Sequence, residues 1–358
     1  MKMINFDVPF LPEPDYIRFL NTKISHIHSI HFSLGLREAS DARHKIRFFE
    51  TENLIKGLSQ IKGPKKYALL NSRFHNPKAF LETSNLKFIS KILKMLINAS
   101  VLDGIVYTDS YYLKAFSAID PETASQLEAV PGINCIADSF EKASAILEII
   151  CSTNFKLPEK FIIDRSVNRK MDELAVFSNL LRKKYPDMKI ELLANEGCIY
   201  QCPFKLAHDS YISLTNLDIP ASIFHMNQVY GCMDYFKEKP YLIFKSPFIR
   251  PEDTTRYKQH IDIIKICGRT LGQEFLKRTV SAYINQSFNG NLLKLMDSME
   301  WMSDKYYVSN HDLPEDFFDK ISSCTKFCES CTYCQNLFDS HVKKLEFEIK
   351  RFSDINHN

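Results

Sequence analysis

Short apolar runs recur along this chain, separated by longer segments with helical periodicity, and that alternation constrains the fold more than any other feature of the sequence. Runs that read as buried parallel strands lie at Ile27–Phe32, Tyr67–Leu70, Gly104–Tyr107, Ile133–Ala137, Phe161–Ile163, Ile190–Leu193, Leu242–Phe244 and Ile263–Ile266. Helical patterns between them cover Asn85–Asn98, with Leu86, Ile89, Ile92, Leu93 and Leu96 on one face, then Phe140–Ile150, Asp172–Tyr185 and Pro251–His260. About eight βα units in 358 residues predict an α/β fold, a (β/α)8 TIM-like barrel over residues 1–290, closed rather than open. From 291 to 358 the pattern becomes helix-rich and cysteine-rich, which predicts a helical C-terminal extension ending in a charged helix at Asn336–Phe352.

Composition removes several function classes. Only 10 glycines are present, and none forms G-x-G-x-x-G or G-x-x-x-x-G-K-[ST], so a Rossmann dinucleotide loop and a P-loop are both disfavoured. A net charge of +3 is too small for a nucleic-acid coat by bulk electrostatics. No stretch reaches the ~18 uncharged apolar residues of a membrane helix, and the start Met1–Asp7 lacks a signal-peptide core, so a cytoplasmic protein without a membrane partner is expected. In that compartment ten cysteines stay reduced, and clustering points to metal or redox chemistry rather than disulfides.

The strongest local signal is Cys324-x3-Cys328-x2-Cys331-x2-Cys334, four thiols in eleven residues. Structural zinc sites usually use two C-x2-C pairs on a long loop, so one compact run suits a [4Fe–4S] cluster better, with zinc as the alternative. A second constellation follows the run Ile190–Leu193, where barrels place their active groups: Glu196, Cys198, Cys202, Lys205 and His208. Cys232, preceded by Gly231, and Cys267, at the end of the last run, are candidates to converge on the same mouth; the alternative is that both are small buried apolar residues. Cys135 and Cys151 read as core residues, and His26, His28 and His31 as ordinary strand histidines, with His31 on the face opposite the other two.

The segments Ile163-Asp164-Arg165-Ser166-Val167-Asn168-Arg169, Glu191-Leu192-Leu193-Ala194-Asn195-Glu196-Gly197-Cys198-Ile199-Tyr200-Gln201-Cys202-Pro203, Lys245-Ser246-Pro247-Phe248-Ile249-Arg250-Pro251-Glu252-Asp253 and Lys265-Ile266-Cys267-Gly268-Arg269 together resemble the collagenase-like peptidase family U32, from roughly Phe6 to Gly290. The resemblance implies a barrel whose better understood bacterial relatives look like oxygen-independent hydroxylation proteins. Those act on RNA bases or a quinone precursor, several with a [4Fe–4S] cluster and with prephenate as the hydroxyl source. Cys198 and Cys232 match family cysteines and Arg269 the arginine that closes the barrel, whereas Phe248 and Arg250 stand where another cysteine is expected, and the tail run has no counterpart.

Three readings follow. In the first, the chain is an iron–sulfur barrel enzyme for an oxygen-independent hydroxylation or related redox modification of an RNA base or a small aromatic or biosynthetic substrate. One or two [4Fe–4S] clusters would be held by Cys198, Cys202, Cys232 and Cys267 at the mouth and by Cys324, Cys328, Cys331 and Cys334 in the tail. Glu196 and His208 would transfer protons, and Arg165, Arg169, Arg250 and Arg269 would grip a small anionic co-substrate, with an electron donor or partner protein supplying electrons. The second reading is a peptidase, for which no recognised nucleophile arrangement is present. The third is a non-catalytic electron-transfer or scaffold subunit.

Overall fold

The computed structural model describes residues 4–36, 38–39, 41–43, 48–219 and 222–346. Eight parallel strands, β1 (Asn5–Pro9), β2 (Ile27–Ser33), β3 (Lys65–Leu70), β4 (Gly104–Tyr107), β5 (Glu128–Pro131), β6 (Lys160–Ile163), β7 (Lys189–Leu193) and β8 (Ile263–Lys265), run in the order β5-β4-β3-β2-β1-β8-β7-β6. The edges β5 and β6 meet through Lys156, whose backbone bridges Glu128 and accepts from the Ala129 N–H at 3.2 Å, so the sheet is a nearly closed TIM-like barrel. Outside it, Phe6, Val8, Ile30 and Phe32 pack against helices such as Ser84–Asn98, whose buried Leu86, Ile89, Leu93 and Leu96 recur at helical spacing.

The barrel interior divides into two halves. Tyr67, Leu69, Val106, Val130 and Ile162 form an apolar half. Opposed to them is a buried ionic cluster: Lys160 Nζ lies 2.7 Å from both Asp7 and Glu191 and 3.0 Å from Ser29 Oγ, while Lys265 contacts Asp7 and lies 3.1 Å from His31 Nδ1. Ions this deep survive only in mutual contact, because each lost its hydration on burial. Burial alone would raise the Asp7 carboxyl, but Lys160, Lys265 and His31 hold it well below the usual carboxylate range.

This cluster explains where the sequence reading and the structure differ. β1 places Asp7 between Phe6 and Val8, so its inward charge interrupts the apolar run, and it was not among the expected strands. β5 is Glu128–Pro131; the expected strand Ile133–Ala137 begins instead as the 3-10 turn Ile133–Cys135. Leu242–Phe244 lies in the 3-10 segment Pro240–Lys245, opened by a proline, and Pro251–His260 becomes the 3-10 segment Pro251–Tyr257. A bulge pairs Phe6 with Ile27 and Asp7 with Ser29, leaving His28 as the extra residue. His28 and His31 therefore interact with the same charges, Asp7 and Lys160, instead of lying on opposite faces. Cys151 is exposed at the end of helix Phe140–Cys151 rather than in the core.

The histidines predict a pH dependence. Burial, followed by Lys265, pushes His31 down to about 4 against the pull of Asp7, and burial with Lys189 and Lys160 takes His28 to about 4. The unfolded chain binds these protons near 6.5, so stability is complete above that pH and falls as pH drops from about 6.5 to about 4, by up to roughly 3 kcal/mol per histidine. Glu191, raised by burial, works in the opposite sense at its own titration. Urea unfolding between pH 4 and 7 should give a rising midpoint for the wild type and a flatter profile for His31→Gln; equal slopes would remove His31 from this account.

Beyond β8, helix Gly272–Asn285 completes the barrel and the chain returns across the carboxyl ends of the strands. The C-terminal region is helical, with the hairpin of β9 (Tyr306–Val308) and β10 (Val342–Lys344). The expected charged helix Asn336–Phe352 is shorter: it spans Tyr333–His341, because Val342–Lys344 pairs with β9, and its residues from 347 lie outside those described. A second apolar core joins this region to the β7–β8 crossover, with Phe236, Leu242 and Phe244 packed among Leu292, Met302, Phe317 and Leu337.

Candidate functional site

The site grows from the end of β7. Asn195 is fixed by its amide, which donates to the carbonyls of Cys267 (3.0 Å) and Leu295 (3.1 Å), while its Oδ1 accepts from the Cys267 N–H at 2.7 Å. The returning segment runs beside it, with the Gly197 N–H donating to Asp297 O at 3.0 Å. This approach requires glycine, since a Cβ on Gly197 would stand 2.1 Å from Met299 Cγ and 3.0 Å from Asp297 O. Gly197→Ala should therefore cost about 1–3 kcal/mol by overpacking, read as a lower urea midpoint with an unchanged denaturant slope. An unaltered midpoint would show that the returning segment is not held this closely.

Cys198, Cys202 and Cys232 line one cavity of about 500 Å3 with Glu196, Lys205, His208 and Arg43. Its apolar wall is Phe236, Met299 and Trp301. Lys205, His208 and Asp209 share one face of helix Lys205–Asn216 by their three- and four-residue spacing. Lys205 pairs with Asp209 and donates to Asn134 Oδ1 at 2.9 Å. Arg165, just after β6, forms a buried ion pair with Glu196. Arg43, from the loop after β2, pairs with Asp297 and interacts with Cys267 and Cys198.

Burial sets the protonation of these groups. It raises the thiols of Cys198 and Cys202 against the pull of Arg165 and Lys205, and takes Cys232 up to about 11. It lowers Lys205 to about 8, with Arg165 adding to the shift and Asp209 opposing it, and His208 to about 4. Unliganded thiols here are thus neutral, and a soft metal would have to displace their protons.

The remaining sequence candidates are placed elsewhere. Cys267 does not line the cavity; its Sγ lies 3.2 Å from Asn195 Oδ1. Arg250 is engaged by Asp253 through a bidentate pair at 2.8 and 2.9 Å, lies over the Phe317 ring and does not line this cavity. Arg269 pairs with Asp41 at 2.6 Å and also lies outside the cavity lining. Arg169 lines a second, larger cavity with the four tail cysteines. Sequence reasoning missed Arg43, Asp297 and Trp301; for Arg43 the available signal was its place after a strand end.

The donor chemistry of the mouth fits a thiolate-bound iron–sulfur group: three soft thiols share one cavity with Lys205 and Arg43, and these two cations and Arg165 act on Cys198. Among the described residues, no three His, Cys, Asp or Glu side chains are already arranged around one point.

No family model matches the chain. An uncharacterized protease of Methanocaldococcus jannaschii is 32% identical over 267 residues, covering 74% of this chain and 73% of that protein. Among solved structures, a U32 peptidase is 14% identical with a TM-score of 0.48, covering 75% of this chain and 95% of that one. Orotidine 5'-monophosphate decarboxylase from Sulfolobus solfataricus is 11% identical with a TM-score of 0.31, covering 60% of this chain and 99% of that one. No helix among the described residues is long and apolar enough to cross a membrane.

Proposed function

The chain belongs to the collagenase-like peptidase family U32, the relationship carried by its archaeal relative, and from that premise we propose that it is an iron–sulfur redox enzyme rather than a peptidase. The reaction is an oxygen-independent hydroxylation, or a related redox modification, of a small anionic substrate at the barrel mouth. The observation that supports this reading is the convergence of Cys198, Cys202 and Cys232 in one cavity with Arg43 and Lys205, while Arg165, paired with the neighbouring Glu196, acts on Cys198. Among the described residues, no hydrogen bond joins one of these thiols to His208, the pairing that a cysteine peptidase requires.

Cys198, Cys202 and Cys232 would hold the cluster, leaving one metal position without a protein thiol. When bound, the cluster supplies one-electron redox chemistry and a Lewis-acidic position. Replacing C–H by C–OH with oxygen from water releases two electrons and two protons, so the partner protein this reading needs is an electron acceptor that takes the electrons one at a time, not the electron donor expected from the sequence. Arg43 and Lys205, each held in place by its carboxylate partner Asp297 or Asp209, offer their remaining N–H donors to an anionic substrate, and Phe236 and Trp301 exclude water from its apolar part. Glu196, held by Arg165, and His208 stand in the cavity wall to take the released protons.

The test has two arms on anaerobically prepared protein. Metal-loaded protein should show a reversible one-electron redox titration, and metal-stripped protein should cleave no peptide of a mixed library. Peptide cleavage by the stripped protein, or a redox-silent loaded protein, would overturn the proposal.

A further inference from the structure

The second cavity, about 1070 Å3, shares Ile199 with the first and is walled by all four tail cysteines. Its frame is fixed at both ends of the cysteine run. Helix Phe317–Ser322 precedes the run and buries Phe317 and Ile321 in the second apolar core, and helix Tyr333–His341 follows it and buries Leu337 there. Between them Cys328 and Cys331 are exposed on a stretch with no helix or strand, while Cys324 and Cys334 are half-buried. Lys326, inside the run, holds a left-handed backbone at φ 69°, a conformation that costs a side-chain-bearing residue on the order of 1 kcal/mol.

Three cations stand around these thiols. Arg169, delivered by the loop after β6, is only 5% exposed; it donates to Phe244 O, but its Nε has no hydrogen-bond partner. A buried guanidinium with an unpaired donor is costly, and the groups acting on it include Cys334 and Cys324. Lys245 interacts with Cys328 and Cys334, and Lys326 with Cys324 and Cys334. The barrel thus contributes a buried, under-bonded cation to a cavity walled by the four thiols, with Lys245 and Lys326 and, farther along the lining, the carboxylates of Asp234 and Glu238.

We propose that Cys324, Cys328, Cys331 and Cys334 hold a [4Fe–4S] cluster in this cavity, with Arg169, Lys245 and Lys326 balancing the negative charge of its thiolates. Among the described residues the four thiols line the cavity without enclosing a point, so binding requires the irregular stretch that carries Cys324, Cys328 and Cys331 to close toward Cys334 on its helix. The unpaired Arg169 Nε then gains a thiolate or sulfide acceptor. This inference does not rest on the barrel-mouth reading, because the two sets of thiols line separate cavities.

The experiment uses the full chain, prepared anaerobically and reconstituted with ferrous iron and sulfide. Cys324→Ser/Cys328→Ser should remove about four irons and four sulfides per chain relative to the wild type, whatever Cys198→Ser/Cys202→Ser does at the mouth. Arg169→Gln and Lys326→Gln should keep the tail iron but move its midpoint potential to more negative values, since a cluster with fewer neighbouring cations is harder to reduce. Lys326 is half-buried, so its variant decides the matter if Arg169→Gln fails to fold. Full iron retention in the tail variant, a single zinc per chain in place of iron, or an unchanged potential with Lys326→Gln would overturn the proposal.

Discussion

Lys160→Met is expected to lower the unfolding free energy by about 3–5 kcal/mol, among the largest single effects available in this fold. Lys160 is fully buried and lies 2.7 Å from both Asp7 and Glu191, so its loss strands two carboxylates where water cannot reach them. Asp7 keeps Lys265 and His31, but Glu191 is left with Lys265 alone at 3.6 Å. Burial already raises the Glu191 carboxyl, and without Lys160 it should be raised further. A Lys160→Met/Glu191→Leu double variant should recover part of the loss, because a buried ion pair replaced by apolar groups of similar volume is often close to neutral. Urea unfolding of the single and double variants checks this. A loss below about 1 kcal/mol in the single variant would mean that the cluster is solvated rather than sealed.

Arg165→Met should destabilise the protein by a comparable amount, about 3 kcal/mol, and loosen the cysteine loop at the same time. Its partner Glu196 is buried two residues before Cys198, and the same guanidinium acts on the thiols of Cys198 and Cys202. Arg165→Lys keeps the charge but not the planar fork, so it should restore less than half of the lost stability. Chemical denaturation measures the first effect, and iron content after anaerobic reconstitution the second. A variant that unfolds at the wild-type midpoint and retains full iron would separate Arg165 from the site.

Much of the barrel was legible because outward-facing strand residues must be apolar: the runs at Ile27, Tyr67, Gly104, Phe161, Ile190 and Ile263 all correspond to strands. β1 was hidden by Asp7, whose presence makes physical sense only once Lys160, Lys265 and His31 arrive from other strands. Conversely, Leu242–Phe244 carries a strand-like apolar run because it fills the second core, not because it pairs in a sheet. The gathering of Cys198, Cys202, Glu196 and His208 followed from their place just after a strand, which a barrel turns toward its mouth. The pairing of Arg43 with Asp297 across 254 residues of sequence left no local signal, and only the return of the chain over the mouth creates it. Arginine partners were equally illegible: Asp253 and Asp41 occupy the forks of Arg250 and Arg269, while Arg169 turns to the tail thiols.

Iron and acid-labile sulfide per chain in Cys198→Ser/Cys202→Ser/Cys232→Ser, prepared anaerobically beside the wild type, test a cluster at the barrel mouth most directly. The variant should fold with the wild-type circular dichroism and lose about four irons and four sulfides, while the tail iron stays. Iron and sulfide equal to the wild type in a folded variant would contradict a cluster at the barrel mouth.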